Sequence, residues 1–474
     1  MSRWETVVGL EVHVQLRTRT KMFCGCRTTF GDPPNTNVCP TCLGLPGALP
    51  LPNAEAVRLG VRGALALGCT VHHTSVFARK NYFYPDLPKG YQISQFDRPL
   101  ATAGRVPFES AARGRIEVGI TRLHLEEDAG KLVHDRFPGK TAVDLNRAGT
   151  PLAEIVSEPD LRSPAEARAY LTTLRQILIY AGVSDCSMEQ GSLRVDANIS
   201  IRRPGDPALG TKAEVKNLNS FANVERALEA ERDRQIARAE RGERIQQVTL
   251  LFNAGAGEVR ELRSKEESHD YRYFPDPDLP PLVLAPEWIA EQRASLPELP
   301  EARRARLELA YGLSAYDARV LTGEIDLAEY YEAVVAAGVE PKAAANWVMG
   351  EVMTSYNESG GFPLAPERLA GLIALVRDGV VSHQAAKRLY AELPTRPDEP
   401  PAAAAERLGL VQVREQGALA SWVDEVLAAH PAEVARYKGG ETKLMGFFVG
   451  QVMKRSQGKA DPKGVQPVLQ EKLN

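Results

Sequence analysis

The sequence predicts an α+β protein: an antiparallel-sheet domain over residues 1–292, an all-helical domain over 293–405 and a small helical tail over 406–474. Three observations carry this. Strictly alternating segments recur through the first two thirds, and two-faced strands with short connections build antiparallel sheets with one solvated face. Strand signals fade beyond YRYFPDPDLPPL (Tyr271–Leu282), and from about Pro297 to Leu393 the text is Ala-, Leu- and Glu-rich and helical. PTRPDEPP (Pro394–Pro401) then reads as a linker into the last segment.

Taken in order, Thr6–Arg17 alternates Leu10, Val12, Val14 and Leu16 on one face with Glu11, His13 and Gln15 on the other. A carboxylate and an imidazole two residues apart are in reach of one ion, although a merely solvated face has the same pattern. Next come Cys24-Gly-Cys26 and, twelve residues on, Cys39-Pro-Thr-Cys42. In a long chain with a cytosolic character these two tight knuckles suggest four thiolates on a structural zinc ion rather than two disulfides. Asn53 caps a helix running to Leu67 with Gly68 as its stop. Phe77–Gln95 is Tyr-rich and Pro-broken, a loop or edge ribbon whose cations are Arg79, Lys80 and Lys89.

Ile116–Asp160 holds the densest charge. Glu126, Glu127 and Asp128 end an alternating strand, and a second extended run leads through Asp144, Asn146 and Arg147 to Glu154, which sits on the apolar face of Leu152 and Val156. A carboxylate in that position needs an Arg, a backbone cap or a cation. Ser163-Pro-Ala-Glu166 is a capping box opening a helix to about Ala181. Leu193–Ile201 is the most regular strand, with Arg194, Asp196, Asn198 and Ser200 on its polar side; Lys212, Glu214 and Lys216 repeat the device, and Ser220 starts a long charged helix. The open face of such a sheet collects Glu11, His13, one of Glu126 and Glu127, Asp196 and Glu214, with lysines interleaved. That composition suits a polar cup for a metal-bound polyanion.

The 474 residues carry 58 basic and 61 acidic side chains, so a nucleic-acid surface has to be local. One candidate is the segment from Pro431 onward, with eight basic residues against four acidic, among them Lys443, Lys454, Arg455 and Lys459. The N-terminus has an acid at position 5 and no apolar leader, and no run reaches membrane length, which predicts a soluble, cytoplasmic protein. Gly139-Lys140-Thr141 imitates the tail of a P-loop, but His134 stands where that motif needs Gly. HExxH, GxSxG and a Gly/Ser-rich amidase segment are missing. A nucleotide would therefore rest on the acidic sheet with magnesium, and any ammonia would come from another polypeptide.

VDLNRAGTPLAEIVSEPD (Val143–Asp160) resembles the signature of the B subunit of the aspartyl/glutamyl-tRNA(Asn/Gln) amidotransferases. VGLEVHVQL, RKNYFYPDLPKGYQISQFD, GITRLHLEEDAGK, GSLRVDANIS, KAEVKNLNSF, DYRYFPDPDL and, near the end, MGFFVGQVMK support the likeness along nearly the whole chain. The resemblance implies a cradle domain similar to glutamine synthetase and guanido kinases, a helical domain and a tail. It implies phosphorylation by ATP of a glutamate or aspartate side chain mischarged on tRNA, then displacement of phosphate by ammonia from a glutaminase subunit. It places magnesium on Glu11, His13, Glu126 and Glu154, and the ammonia exit along Glu127, Lys80, Lys89 and Asp196; Glu214 joins this catalytic set from the pattern of the open face. Zinc on Cys24, Cys26, Cys39 and Cys42 and tRNA on the tail cations follow, as do partners: the glutaminase (amidase) or A subunit, the small C subunit, and a non-discriminating aminoacyl-tRNA synthetase. Two other readings compete, an RNA-binding scaffold without catalysis and a free-standing amide ligase. Carboxylates drawn from separate strands argue against the first, and the basic tail against the second.

Overall fold

A computed structural model describes residues 3–264, 271–413, 415–456 and 458–473. The chain divides into two compact units, Met1–Pro300 and Glu301–Asn474. Asp270, which heads the DYRYFPDPDL motif, lies outside the described residues.

The first unit is built on a nine-stranded sheet. Its order is Glu258–Ser264, Val248–Asn253, Ala213–Leu218, Leu193–Arg202, Glu5–Gln15, Pro151–Ser157, Gly114–Glu127, Ala101–Ser110 and Thr70–Val71. The predicted alternation holds at the centre: Val8, Leu10, Val12 and Val14 are at most 1% exposed, as are Leu193, Ala197 and Ile199 on the neighbouring strand. Each such side chain taken out of water contributes about 1.5–3 kcal/mol, so slipping either strand by one residue would turn the whole set outward. One expectation needs correction. Ala213–Leu218 and Val248–Asn253 pair in parallel, because the twenty-residue helix Phe221–Glu240 joins them as a crossover, and the sheet is mixed.

Helices cover the apolar face. Pro164–Tyr180 buries Ala167, Tyr170, Leu171, Leu174 and Leu178, and Phe221–Glu240 buries Val224, Ala227 and Leu228, the spacing of one helical stripe. Ser163 caps the first of these by accepting from Glu166 N at 3.2 Å, but Glu166 returns its carboxylate to Arg162 N and the Arg113 guanidinium rather than to Ser163. Helix Ala54–Ala66, capped by Asn53, lies against the end of Gly114–Glu127 at Gly60, where a Cβ would come within 2.6 Å of Leu125 Cδ2. This close approach sets the helix behind the residues that carry Glu126. Phe77–Gln95 forms two strands, Ala78–Asn81 and Tyr91–Ser94, in a small sheet completed by Arg272–Pro275.

The second unit is helical among the described residues apart from the isolated bridges Val381–Val411 and Val413–Ala460, with one apolar cluster running from Leu307 to Leu410 and another from Leu419 to Leu473. The predicted linker is structured. Arg368 donates to the carbonyls of Leu393, Arg396 and Glu399 at 2.8–3.2 Å, Arg407 pairs with Glu399, and helix Pro401–Arg407 buries Ala404 and Ala405 in the first cluster. Proline content signalled a break in secondary structure, while backbone carbonyls gathered by one guanidinium hold it in place. No described helix is long and apolar enough to cross a membrane.

Candidate functional site

Cross-strand register assembles the polar face. His13 stands opposite Glu154 on one side and Arg194 on the other; Glu11 stands opposite Asp196; Glu154 in turn faces His124, and Leu152 faces Glu126. Residues directly opposite share a face, so three adjacent strands aim Glu11, His13, His124, Glu126 and Glu154 at one point. His13 Nε2 lies 3.4 Å from Glu154 Oε2, 3.5 Å from Glu11 Oε1 and 3.8 Å from Glu126 Oε1. His124 Nε2 lies 3.5 Å from Glu154 and 3.6 Å from Glu126. Arg122 Nη2 reaches Glu154 Oε1 at 3.4 Å, and Ser94 Oγ donates to Glu126 at 3.1 Å.

Glu126 and Glu154 are only 3% and 6% exposed, so their charge has to be answered inside the protein. Burial opposes protonation of His13, yet its hydrogen bond to Glu154 and the carboxylates of Glu126, Glu154 and Glu11 prevail and push its pKa up to about 9. Burial likewise opposes ionisation of Glu154, but His124, His13 and Arg122 hold it well below the usual carboxylate range. Glu11 is raised by burial and by Glu154. His124 Nδ1 is buried with no hydrogen-bond partner.

This donor set fits a divalent cation. Ligand atoms of His13, Glu126 and Glu154 lie within 4.8 Å of one another, as do those of Glu11, His13 and Asp196. An octahedral ion with bonds of about 2.1 Å spans about 4.2 Å between opposite ligands.

The other sequence-predicted residues fall into three groups. Lys216 Nζ sits 2.5 Å from Asp196 and 3.1 Å from Glu214, beside Glu11 on the open face, and these carboxylates hold its pKa above the usual lysine value against the effect of burial. Lys80 Nζ lies 4.8 Å over the Tyr271 ring; burial works against its charge, but Glu126, Tyr273 and Glu154 raise its pKa. Glu127 points away from Glu126. It pairs with Lys89, accepts from Ile93 N at 2.9 Å, and lines a small cavity with Lys21, Cys24 and Cys42. The three-acid run is thereby resolved: Glu126 belongs with His13, Glu127 with Lys89, and Asp128 with Arg194 at 2.9 Å.

The six cysteines are unbridged. The sulfurs of Cys24, Cys26, Cys39 and Cys42 lie within 4.8 Å of one another, with Cys39 and Cys42 3.9 Å apart. Four sulfurs about 2.3 Å from one tetrahedral ion would be about 3.8 Å apart, so the set fits a metal. The hydrogen bond with the Cys24 thiol, the Cys39 amide and the Lys21 ammonium bring Cys42 down to about 4. Lys21, fully buried, donates to Asn37 O at 2.7 Å and lies 3.6 Å from Cys42 Sγ.

In the second unit Lys443, Lys454, Arg455 and Lys459 are exposed, and Arg455 pairs with Glu425 at 2.6 Å. The sequence reading missed His124, Arg122 and Lys21. The first two were available from the alternation that selected Glu126, since they precede it by two and four positions; nothing in the sequence flags Lys21.

The GatB/GatE catalytic domain family matches residues 6–290, and the GatB domain family matches residues 329–473. The chain is 52% identical to the B subunit of the aspartyl/glutamyl-tRNA(Asn/Gln) amidotransferase of Geobacter sulfurreducens over 99% of both chains. It is 51% identical to the protein of the same name from Solidesulfovibrio magneticus over the full length of both. The Moorella thermoacetica protein, also so named, is 52% identical over 99% of this chain and 100% of its own.

Proposed function

The chain belongs to the GatB family of amidotransferase subunits, and from that premise we propose that it amidates glutamate or aspartate carried on tRNA(Gln) or tRNA(Asn) at the expense of ATP. A carboxylate is a poor acyl donor. Its oxygen attacks the γ-phosphorus of ATP, ADP leaves, and the acyl phosphate then loses inorganic phosphate as ammonia attacks the acyl carbon and sheds a proton.

The observation that carries this reading is that Glu11, Glu126 and Glu154, from three strands, lie 3.5, 3.8 and 3.4 Å from His13 Nε2 on the open face. These residues would hold magnesium, which when bound supplies charge neutralisation for the transferring phosphoryl group. Lys80, held charged beside Glu126 and Glu154, orients the incoming carboxylate and phosphate. Asp196, Lys216 and Glu214 form the array that takes a proton from ammonium near the acyl phosphate, and Lys89 with Glu127, at the end of Gly114–Glu127 and turned away from Glu126, lines the approach of ammonia. Cys24, Cys26, Cys39 and Cys42 hold a structural zinc ion.

On this reading residues 1–292 are a cradle similar to glutamine synthetase and guanido kinases, 293–405 a helical domain and 406–474 a tRNA-binding tail using Lys443, Lys454, Arg455 and Lys459. The chain works in the cytoplasm with the glutaminase (A) and small (C) subunits of the complex, and receives mischarged tRNA from a non-discriminating synthetase. The test is ATP turnover by the assembled complex. Appreciable hydrolysis is expected only with glutamyl- or aspartyl-tRNA present, whereas equal turnover with free glutamate would make the protein a small-molecule ligase.

A further inference from the structure

Lys21 is a fully buried charge that the mechanism above leaves unused. Its ammonium donates to Asn37 O at 2.7 Å and to Leu145 O at 3.3 Å and lies 3.6 Å from Cys42 Sγ. It forms no ion pair with a carboxylate among the described residues. A buried cation needs an answering charge. Four thiolates on one divalent ion keep a net negative charge, so Cys24, Cys26, Cys39 and Cys42 supply it when metal is bound.

The same side chain ties the cysteine knuckle to the loop of residues 144–150, and it does so beside a second clasp. Asn35, at φ 61°, accepts from Leu145 N at 2.8 Å and donates to Val143 O at 3.0 Å. Asn37 N donates to Asn146 Oδ1 at 2.8 Å, and Asn146 Nδ2 returns to Pro33 O at 2.7 Å. The loop in turn holds the chain just past Glu127: Gly149 N donates to Asp128 O, Asp128 N to Thr150 O, both at 2.8 Å, and Arg147 Nε to Ala129 O at 2.9 Å. Both sides meet at Gly149. A Cβ there would lie 3.3 Å from Lys21 Cδ, 3.5 Å from Cys42 Cβ and 3.8 Å from Glu127 Oε2, and its φ of 88° favours glycine. Lys21, Cys24, Cys42, Gly149, Glu127 and Lys89 therefore line one cavity of about 90 Å³, with room for a few molecules the size of water or ammonia.

We propose that Lys21 is a positioning residue for ammonia transfer. By clasping the metal knuckle to residues 144–150 it fixes the wall to which Glu127 and Lys89 belong, so that ammonia reaches the acyl phosphate instead of escaping to solvent. The proposal rests on the functional reading above and adds to it what keeps the ammonia approach closed. Knuckle and approach are one structure, and loosening the first opens the second.

The test uses the assembled amidotransferase carrying Lys21→Met, which keeps the length of the side chain and removes its charge, or Asn35→Gly. The latter keeps the left-handed backbone of an exposed residue and removes its side-chain bonds to Val143 and Leu145; it carries the test where Lys21→Met does not assemble. With glutamine as donor, amide formation is expected to fall about tenfold in Lys21→Met and about threefold in Asn35→Gly. The shortfall should appear as free ammonia, and saturating ammonium chloride should support the wild-type rate in both. Zinc affinity, measured by competition with a chelator, should drop about tenfold in Lys21→Met and stay unchanged in Asn35→Gly. Wild-type coupling of glutamine hydrolysis to amide formation in both variants, or wild-type zinc affinity in Lys21→Met, overturns the proposal and leaves the functional reading standing. Equal losses with glutamine and with ammonium chloride also overturn it, because the clasp then supports the acyl-phosphate site rather than the ammonia approach. If the unmodified complex forms no amide from glutamine, the functional reading itself fails.

Discussion

The sheet cluster and the tail both present charge, and they do so in opposite ways. In the first unit, carboxylates no more than 6% exposed are held by two imidazoles and an arginine at 3.4–3.8 Å, all on strands fixed by cross-strand register. In the tail, four cations stand in solvent on short helices and turns, one already paired with Glu425. Buried charge cannot be screened and cannot move, so it governs chemistry and stability. Exposed charge is screened within about 10 Å at 0.1 M salt, so it governs affinity and its salt dependence. Perturbing the first should produce large effects, and perturbing the second small ones.

The largest expected effect is loss of amide formation in Glu126→Gln and Glu154→Gln. Each keeps the shape of the site and removes one carboxylate from the cation-binding set. Conversion of glutamyl-tRNA to glutaminyl-tRNA should fall roughly a thousandfold, about 4 kcal/mol in barrier, while tRNA binding in a filter assay is retained. Near-normal product formation would mean that the buried carboxylates hold no cation the reaction needs. Next in size is Lys89→Met. Glu127 is 2% exposed and would be left as a buried, unpaired carboxylate, which costs about 3 kcal/mol of stability. Adding Glu127→Gln should restore much of it in a denaturant melt, showing that a buried pair differs from the under-neutralised cluster one residue away.

That one-residue distinction marks the limit of what could be read from sequence. Alternation alone assigned Leu10, Val12 and Val14 to the core and Glu11 and His13 to the open face, because burial enforces a period of two. It left Glu126 and Glu127 interchangeable, since a slip of one residue swaps them. The pairing of Leu152 with Glu126 decides it. Lys21 was invisible because its partners are backbone carbonyls and a thiol distant in sequence. The parallel pair of strands was missed because Val248–Asn253, the strand that follows the predicted Ser220 helix, was not recognised, and a crossover shows in sequence only when both of its strands do. The Pro394–Pro401 stretch misled for the opposite reason: composition reports local propensity, and Arg368 acts from far away.

A third perturbation is pH. His13 in the metal-free chain titrates near 9 rather than 6.5. A raised pKa stabilises the fold fully below pH 6.5, and the contribution disappears as pH rises through 9. The shift corresponds to at most about 3 kcal/mol, part of which is the same interaction that depresses Glu154. Melting temperature without divalent ions should therefore decline between pH 6.5 and 9. Magnesium should bind more tightly over that same window, because the proton leaving His13 frees a ligand. A melting temperature flat across this range would mean that His13 is not held charged by its three carboxylate neighbours.

The smallest effects belong to the tail. Lys443, Lys454 and Lys459 have no ion pair among the described residues, whereas Arg455 is engaged by Glu425. If the three lysines each meet one phosphate, the triple alanine variant should lower the slope of log affinity against log salt by about 2–3. Affinity for tRNA should drop about tenfold at low salt, with no change in the rate of amide formation once tRNA is saturating. Arg455→Ala should do less than any of the three, because its charge is already answered by a carboxylate 2.6 Å away. Equal effects from all four positions would show that the Glu425 pair opens in the complex. An unchanged salt slope would remove these cations from the phosphate backbone and leave the tail a role in assembly, where apolar surface rather than charge does the binding.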